Sequence, residues 1–318
     1  MRISRITVLL AILTAVVGVR AQSGKLLPID ELLTSAEARS REYVEKFRDL
    51  LATETRTFVK YKKSGEQKSS RTVKSLFVVM PLTKDPERVI EFRNVTAVDG
   101  KPVDDGDKRA GELFSKLANA ESSEREIKRL EDEALRYDDD VLISGLTLFQ
   151  SIALRASVRP AFTFALRGKE MIGSTPVIVI EYSQQTATPL ITAVVSGSNG
   201  QSGKDAAFEI DADKDVPLNG RLTGKLYLDE ATLRLRKEIR TLNVQPDGSP
   251  APVAVIEEVF DYQDSGFGIL TPRQITHTQY RLKVKERRLI KDVSVAFEYS
   301  DFSKPDVEVK ADDVKPKP

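Results

Sequence analysis

The sequence predicts a mainly β, α+β fold: a curved antiparallel sheet or open β-barrel of about ten strands, with a long N-terminal helix and a helical insertion as lid. Three observations predict it. Period-two alternation of apolar and polar residues runs through both halves of the chain, one 3.6-period segment precedes the first strands, and a charged helical stretch interrupts them. About ten such strands are too many to lie flat, so the sheet is expected to curl.

The first element is a signal peptide over residues 1–21. Arg2 and Arg5 precede an uncharged apolar run from Ile6 to Val19, and Val19-Arg20-Ala21 supplies small or aliphatic residues where a signal peptidase reads, placing cleavage between Ala21 and Gln22. The run is shorter than the roughly 20 residues a permanent helical span requires, so no membrane span is expected after cleavage. Loss of Arg2, Arg5 and Arg20 takes the formal charge from +1 to −2. Such a near-neutral chain makes no electrostatic case for nucleic acid. The expected location is periplasmic or otherwise extracytoplasmic, and the absence of Cys there fits a bacterial envelope protein that relies on a large core.

From Pro28 to about Leu51, Leu32, Leu33, Ala36, Tyr43, Val44, Phe47 and Leu50 recur at three- and four-residue steps, which predicts a long amphipathic helix. Three strands follow, read on Thr55, Thr57, Val59 and Tyr61, on Leu76, Val78 and Met80, and on Ile90 and Phe92, with a hairpin turn at Lys63-Ser-Gly-Glu66 and a break at Asp99-Gly100. Residues 107–157 form the helical insertion. Its last helix, Val141 to Ala156, carries Leu142, Leu146, Phe149, Ile152 and Ala153 on one stripe and is the least charged of the three. Strands resume at Pro160 with Phe162, Phe164 and Leu166, turn at Gly173-Ser-Thr-Pro176, and return with Ile178, Ile180 and Tyr182. The polar tract 186–220 has linker composition and is expected to be a long flexible loop. Later strands are read on Leu222, Leu226 and Leu228; Leu233, Leu235 and Ile239; Ile256, Phe260 and Tyr262; Thr278, Tyr280 and Leu282; and Leu289, Val293, Val295, Phe297 and Tyr299. Charged residues such as Arg234, Arg236, Glu238 and Arg240 are assigned to the wet outer face. Residues 22–303 thus make one domain, and 304–318, rich in Lys, Asp and Pro, a disordered tail.

Composition removes much chemistry. With no Cys and one His, there is no thiol nucleophile, no iron–sulfur cluster and no multi-imidazole metal site, so neither cofactor nor metal is expected. His277, in mid-strand, reads as a sheet-face His with ordinary polar contacts, because no Gly-x-Ser-x-Gly nucleophile elbow occurs. Gly203-Lys204 lacks the glycine spacing of a phosphate loop, and Asp205 replaces its Ser or Thr. Asp211, Asp213 and Asp215 begin like a calcium loop, but Val216 stands at the glycine position and Leu222 at the bidentate Glu. These runs, with Asp138-Asp139-Asp140 and Glu257-Glu258, read as solvated acids. Asn94-Val-Thr96 matches a glycosylation sequon by chance.

The apolar sheet face of Phe162, Phe164, Leu166, Ile178, Ile180, Tyr182, Leu226 and Leu228, with Leu146, Phe149 and Ile152 laid over it, is the candidate ligand-binding surface. A curved sheet with a helical lid either closes into a solid core or leaves an apolar cavity there. No catalytic residue is assigned. Runner-up functions are a protein-interaction or scaffold module with a solid core, and a hydrolase built on two facing carboxylates.

The stretch Gly224-Lys-Leu-Tyr-Leu-Asp229-Glu-Ala-Thr-Leu-Arg-Leu-Arg-Lys-Glu238, then Phe260-Asp-Tyr262, Thr271-Pro-Arg-Gln-Ile275 and Phe297-Glu-Tyr-Ser-Asp-Phe302, resembles the C-terminal strands of the periplasmic lipoprotein-carrier (LolA/LolB-like) superfamily. The order of elements looks like that of exported bacterial proteins with no established activity. The resemblance implies an open barrel with a helical lid, no enzymatic activity, and an interior that takes a lipid, a lipoprotein acyl chain or another apolar ligand. It leaves an envelope protein partner open. No motif in the first half carries over the family's cavity residues.

Overall fold

The structure is a computed structural model that describes residues 26–48, 50–82, 85–104, 108, 136–137, 147, 150–187, 192–195, 207–210, 220–245, 251–283 and 288–304. The expected signal peptide and cleavage site, the tail beyond Lys304, and Leu146 and Phe149 lie outside them.

Helix α1 spans Ile29–Phe47. Pro28 sets its start, Asp30 and Glu31 in the first turn and Lys46 in the last complement the helix dipole, and Leu32, Leu33, Ala36, Tyr43 and Phe47 form its buried stripe. Strands β1 (Leu51–Tyr61), β2 (Gln67–Leu82), β3 (Asp85–Val98) and β4 (Lys101–Pro102) follow. After the insertion come β5 (Phe162–Ile172), β6 (Thr175–Gln184), β7 (Thr192–Val195), β8 (Ala207–Ile210), β9 (Gly220–Asp229), β10 (Leu235–Val244), β11 (Val253–Asp264), β12 (Leu270–Lys283) and β13 (Arg288–Ser303). Eleven of these form one sheet in the order β4-β3-β2-β1-β13-β12-β11-β10-β9-β6-β5, and every pairing in it is antiparallel. Chain start and chain end meet where β1 pairs with β13. Its edge strands β4 and β5 do not pair, so the sheet is open.

The expected antiparallel curved sheet is therefore present. Laid flat, eleven strands would span roughly 50 Å, whereas a 19-residue helix is about 28 Å long and about 10 Å wide. Yet inward residues from β1, β2, β6, β9, β10, β11, β12 and β13 share one core cluster with α1. The sheet must curl around the helix. Tyr43 of α1 meets Tyr262 of β11 edge-on at 6.0 Å, and Phe47 meets Phe302 of β13 at 6.2 Å.

Three expectations change. The part of the predicted lid helix that is described is a 3₁₀ turn, Ile152–Leu154, followed by a second at Arg159–Ala161, where Pro160 cannot continue an α-helix. The tract 186–220 is not wholly loop, since β7 and β8 within it form a separate parallel pair. The first strands also present the opposite parity: β1 buries Ala52, Glu54, Arg56 and Phe58, and β2 turns Val73, Ser75, Phe77 and Val79 inward. The expected break at Asp99-Gly100 is a two-residue hairpin between β3 and β4, with φ of 50° and 75°.

Candidate functional site

Most of the described residues among those predicted for the site lie on the concave face under α1, and that face is more polar than the apolar pattern suggested. Two rows of paired residues cross it. One runs Tyr182, Gly224, Arg240, Glu258, His277, Val295 and Phe58; the next runs Ile180, Leu226, Glu238, Phe260, Ile275, Phe297 and Arg56.

Glu238 and Arg240 therefore face inward, against the outward assignment. A register shift between Leu235 and Lys237 is the reason: one extra residue on β10 flips every later side chain to the other face. Glu258, read as a solvated acid, is 2% exposed.

The first ionic cluster is built on β10, β11 and β12. Arg240 Nε donates to Glu258 Oε2 at 2.6 Å, and His277 Nδ1 lies 3.0 Å from Glu258 Oε1. Burial pushes the Glu258 carboxyl up, but the Arg240 charge and His277 outweigh it and hold the group at about 2. The Arg240 guanidinium also stacks 4.6 Å from the Phe260 ring centre. Glu238 Oε1 accepts from Tyr182 Oη at 2.6 Å and from Ser151 Oγ at 2.9 Å. Burial dominates here and raises the Glu238 pKa, against the opposing pull of Arg240 and these two hydroxyls. Burial likewise raises the Tyr182 phenol, which stays a donor.

A second cluster occupies β1 to β3. Arg93 Nε donates to Glu54 Oε2 at 2.5 Å and its Nη2 to Glu91 Oε2 at 3.0 Å, while Arg56 lies 3.9 Å from Glu54. Burial disfavours the Arg93 cation, but Glu54 and Glu91 outweigh it and hold its pKa above normal. Residues of the insertion touch both clusters. Thr147 Oγ1 donates to Glu91 Oε1 at 2.8 Å, its carbonyl accepts from Tyr43 Oη at 2.6 Å, and Ser151 reaches Glu238.

Of the residues predicted to line a cavity, Phe162, Ile178, Ile180, Tyr182, Leu226, Leu228 and Ile152 are buried in one core. Phe162, Phe164 and Tyr182 form an aromatic triangle with centroids 5.7 to 6.4 Å apart. Phe164 is half-buried, and Leu166, on edge strand β5 beside a register shift at Gly168, is 37% exposed. A groove of about 510 Å³ also opens along β5, β6, β9 and β10, lined by Phe164, Tyr182 and Ile239 with Arg167, Glu181 and Lys225.

His277 is not placed as an accessible base. Its Nε2 is buried and, among the described residues, has no hydrogen-bond partner, so no nucleophile is joined to it. No group of three or more His, Asp or Glu among the described residues is arranged to hold a metal ion. No helix among them is long and apolar enough to cross a membrane.

Glu54, Arg56, Arg93, Glu238, Arg240 and Glu258 were missed as interior residues. A signal existed for Glu258, which shares strand parity with Ile256, Phe260 and Tyr262, and for Glu54 and Arg56 between Ala52 and Phe58. A charge flanked at i±2 by apolar residues is an inward charge that needs a partner.

No family model matches the chain, and no curated protein matches it. Among solved structures it is similar to a DUF1329 family protein from Desulfovibrio piger, at 11% identity and a TM-score of 0.38, covering 89% of this chain and 95% of that one. It is also similar to a LolA superfamily protein from Nitrosomonas europaea, at 9% identity and a TM-score of 0.33, covering 89% of this chain and 96% of that one.

Proposed function

We infer that this is an exported envelope protein, one open-barrel domain over residues 22–303, that binds a lipid, a lipoprotein acyl chain or another apolar ligand at the β5 end of its sheet. One observation carries this reading. The inward apolar row ends in side chains left uncovered, with Phe164 half-buried and Leu166 37% exposed beside buried Ile180 and Tyr182. Exposed apolar side chains contiguous with a core mark a place where an apolar ligand gains burial without new cavity formation. Export rests on the basic and apolar pattern of residues 1–21. Catalysis has no part in it.

Mass spectrometry of organic extracts from the purified protein, with uptake of a fluorescent fatty acid, tests the reading. Uptake should be saturable and weakened at least about tenfold in Leu166→Asp and Phe164→Asp, which place a charge in the acyl path. A protein that carries no apolar compound and takes up no fatty acid would sink it.

A second reading has its own observation. The concave face is occupied by α1 and by buried Ile152, Ala153 and Leu154, as in a scaffold with a solid core. Absence of uptake with retained binding to an envelope protein would favour it.

A further inference from the structure

One end of the sheet is strongly basic. The β1–β2 hairpin carries Lys60, Lys62, Lys63, Lys68 and Arg71 against one carboxylate, Glu66; described residues of the β12–β13 hairpin carry Arg281, Lys283, Arg288 and Lys291 against one, Asp292. These segments are far apart in sequence, and β1–β13 pairing brings them side by side, with Lys60 opposite Val293. Lys291 Nζ stacks 4.7 Å from the Tyr61 ring centre, which ties one hairpin to the other.

Within the described residues of these two segments, nine cations stand beside two carboxylates, so cations outnumber acids. Glu66 pairs with Lys62 at 3.2 Å, and Asp292 with Arg281 at 2.8 Å. Glu257, near the patch, accepts from Tyr280, and Asp99 at its border accepts from the backbone of Thr72. Lys62, Lys63, Lys68 and Arg288 are exposed. The opposite end of the sheet behaves differently: Arg236 pairs with both Asp229 and Asp264, Lys237 with Asp261, and Lys169 with Glu230. The chain as a whole has a formal charge of only +1, so the cations are concentrated rather than abundant.

We propose that these two hairpins form a docking surface for an anionic lipid bilayer, the sheet standing with this end against the headgroups. Lysine-rich composition selects the partner. Lysine is depleted in protein–protein interfaces, whereas clustered Lys and Arg gain from the negative surface potential of anionic lipid, their long aliphatic stems reaching down to the headgroups. Tyr61 and Tyr280, in the same hairpins, are of the residue type that sits at a membrane–water interface. Docking goes beyond ligand binding at β5 and does not depend on it.

The test is cosedimentation of the chain from Gln22 with vesicles, since every described element lies within it. Phosphatidylglycerol–phosphatidylcholine vesicles should retain the protein at low salt and release it at high salt, and pure phosphatidylcholine should not retain it. Lys62→Gln, Lys63→Gln and Lys68→Gln should each weaken partitioning about fivefold. Arg288→Gln, on the other hairpin, should do the same. Lys169→Gln with Arg273→Gln, at the opposite end, should leave it unchanged. Salt-insensitive retention, equal binding to neutral vesicles, equal loss in the control variant, or binding to polyglutamate without binding to vesicles would overturn the proposal.

Discussion

The phenol ring of Tyr182 lies against Gly224. A Cβ at residue 224 would come within 2.5 Å of the ring and would also strike the carbonyl of Ile239. Only glycine lets the ring cross β9 and set its hydroxyl on Glu238 of the next strand.

Gly224→Ala should therefore destabilise the protein by about 1–3 kcal/mol or more, as overpacking of a dense core does. Adding Tyr182→Ala should not restore stability, because the Ile239 carbonyl still blocks the methyl. Urea unfolding of the single and double variants checks this; full rescue would show that the ring alone sets the constraint.

Glu238 binds its proton more tightly in the folded chain than in the unfolded one, because burial raises its pKa from 4.5. Its contribution is thus fully present below pH 4.5 and lost as pH rises through the folded value. Glu238→Gln, whose amide oxygen still accepts from Tyr182 and Ser151, should be at least as stable as the parent at pH 7, with the advantage shrinking toward pH 4. Unfolding curves at the two pH values decide it.

Glu258 has the opposite sign. Arg240 and His277 hold it at about 2 despite burial, against 4.5 unfolded, so it contributes stability above pH 4.5 that is lost as pH falls toward 2. The shift corresponds to about 3 kcal/mol. Glu258→Gln should cost roughly 3–5 kcal/mol at neutral pH, because it leaves the buried Arg240 cation without its carboxylate. The variant should also show a flatter loss of stability between those pH limits. A cost below about 1 kcal/mol would mean that Arg240 finds water or another acceptor.

Tyr43→Phe removes the donor to the Thr147 carbonyl while keeping the stack on Phe47, whose centroid lies 4.9 Å away. The expected loss is about 1–2 kcal/mol, the cost of a buried acceptor left unpaired. Tyr43→Ala adds a cavity and should lose about 3–5 kcal/mol. Equal losses in the two variants would assign the whole effect to the hydrogen bond and none to packing.

Much of the architecture is legible in the residues. The apolar alternation of Ile178, Ile180 and Tyr182, of Leu222, Leu226 and Leu228, and of Val293, Val295, Phe297 and Tyr299 marks faces that are buried in the structure. The α1 stripe is read correctly for the same reason, because each side chain there is apolar and its period is regular. Reading fails on strands whose inward face is charged. Arg93 looks like a solvent residue until the partner strand is known, and Glu238 and Arg240 change face at a bulge that pairing alone reveals.

By itself the sequence determined the class of structure: an antiparallel sheet of about ten strands, the opening helix, the break at Asp99-Gly100 and the want of thiol or multi-histidine chemistry, all local properties of period, turn residues and composition. Tertiary structure decided which charges are inside. A buried carboxylate is tolerable only when a specific cation or hydroxyl from a distant strand reaches it, as Arg240 and His277 reach Glu258, and that pairing is a property of register rather than of any single segment. The same register joins Lys60 to the strand that begins at Arg288, turning two unremarkable basic hairpins into one surface.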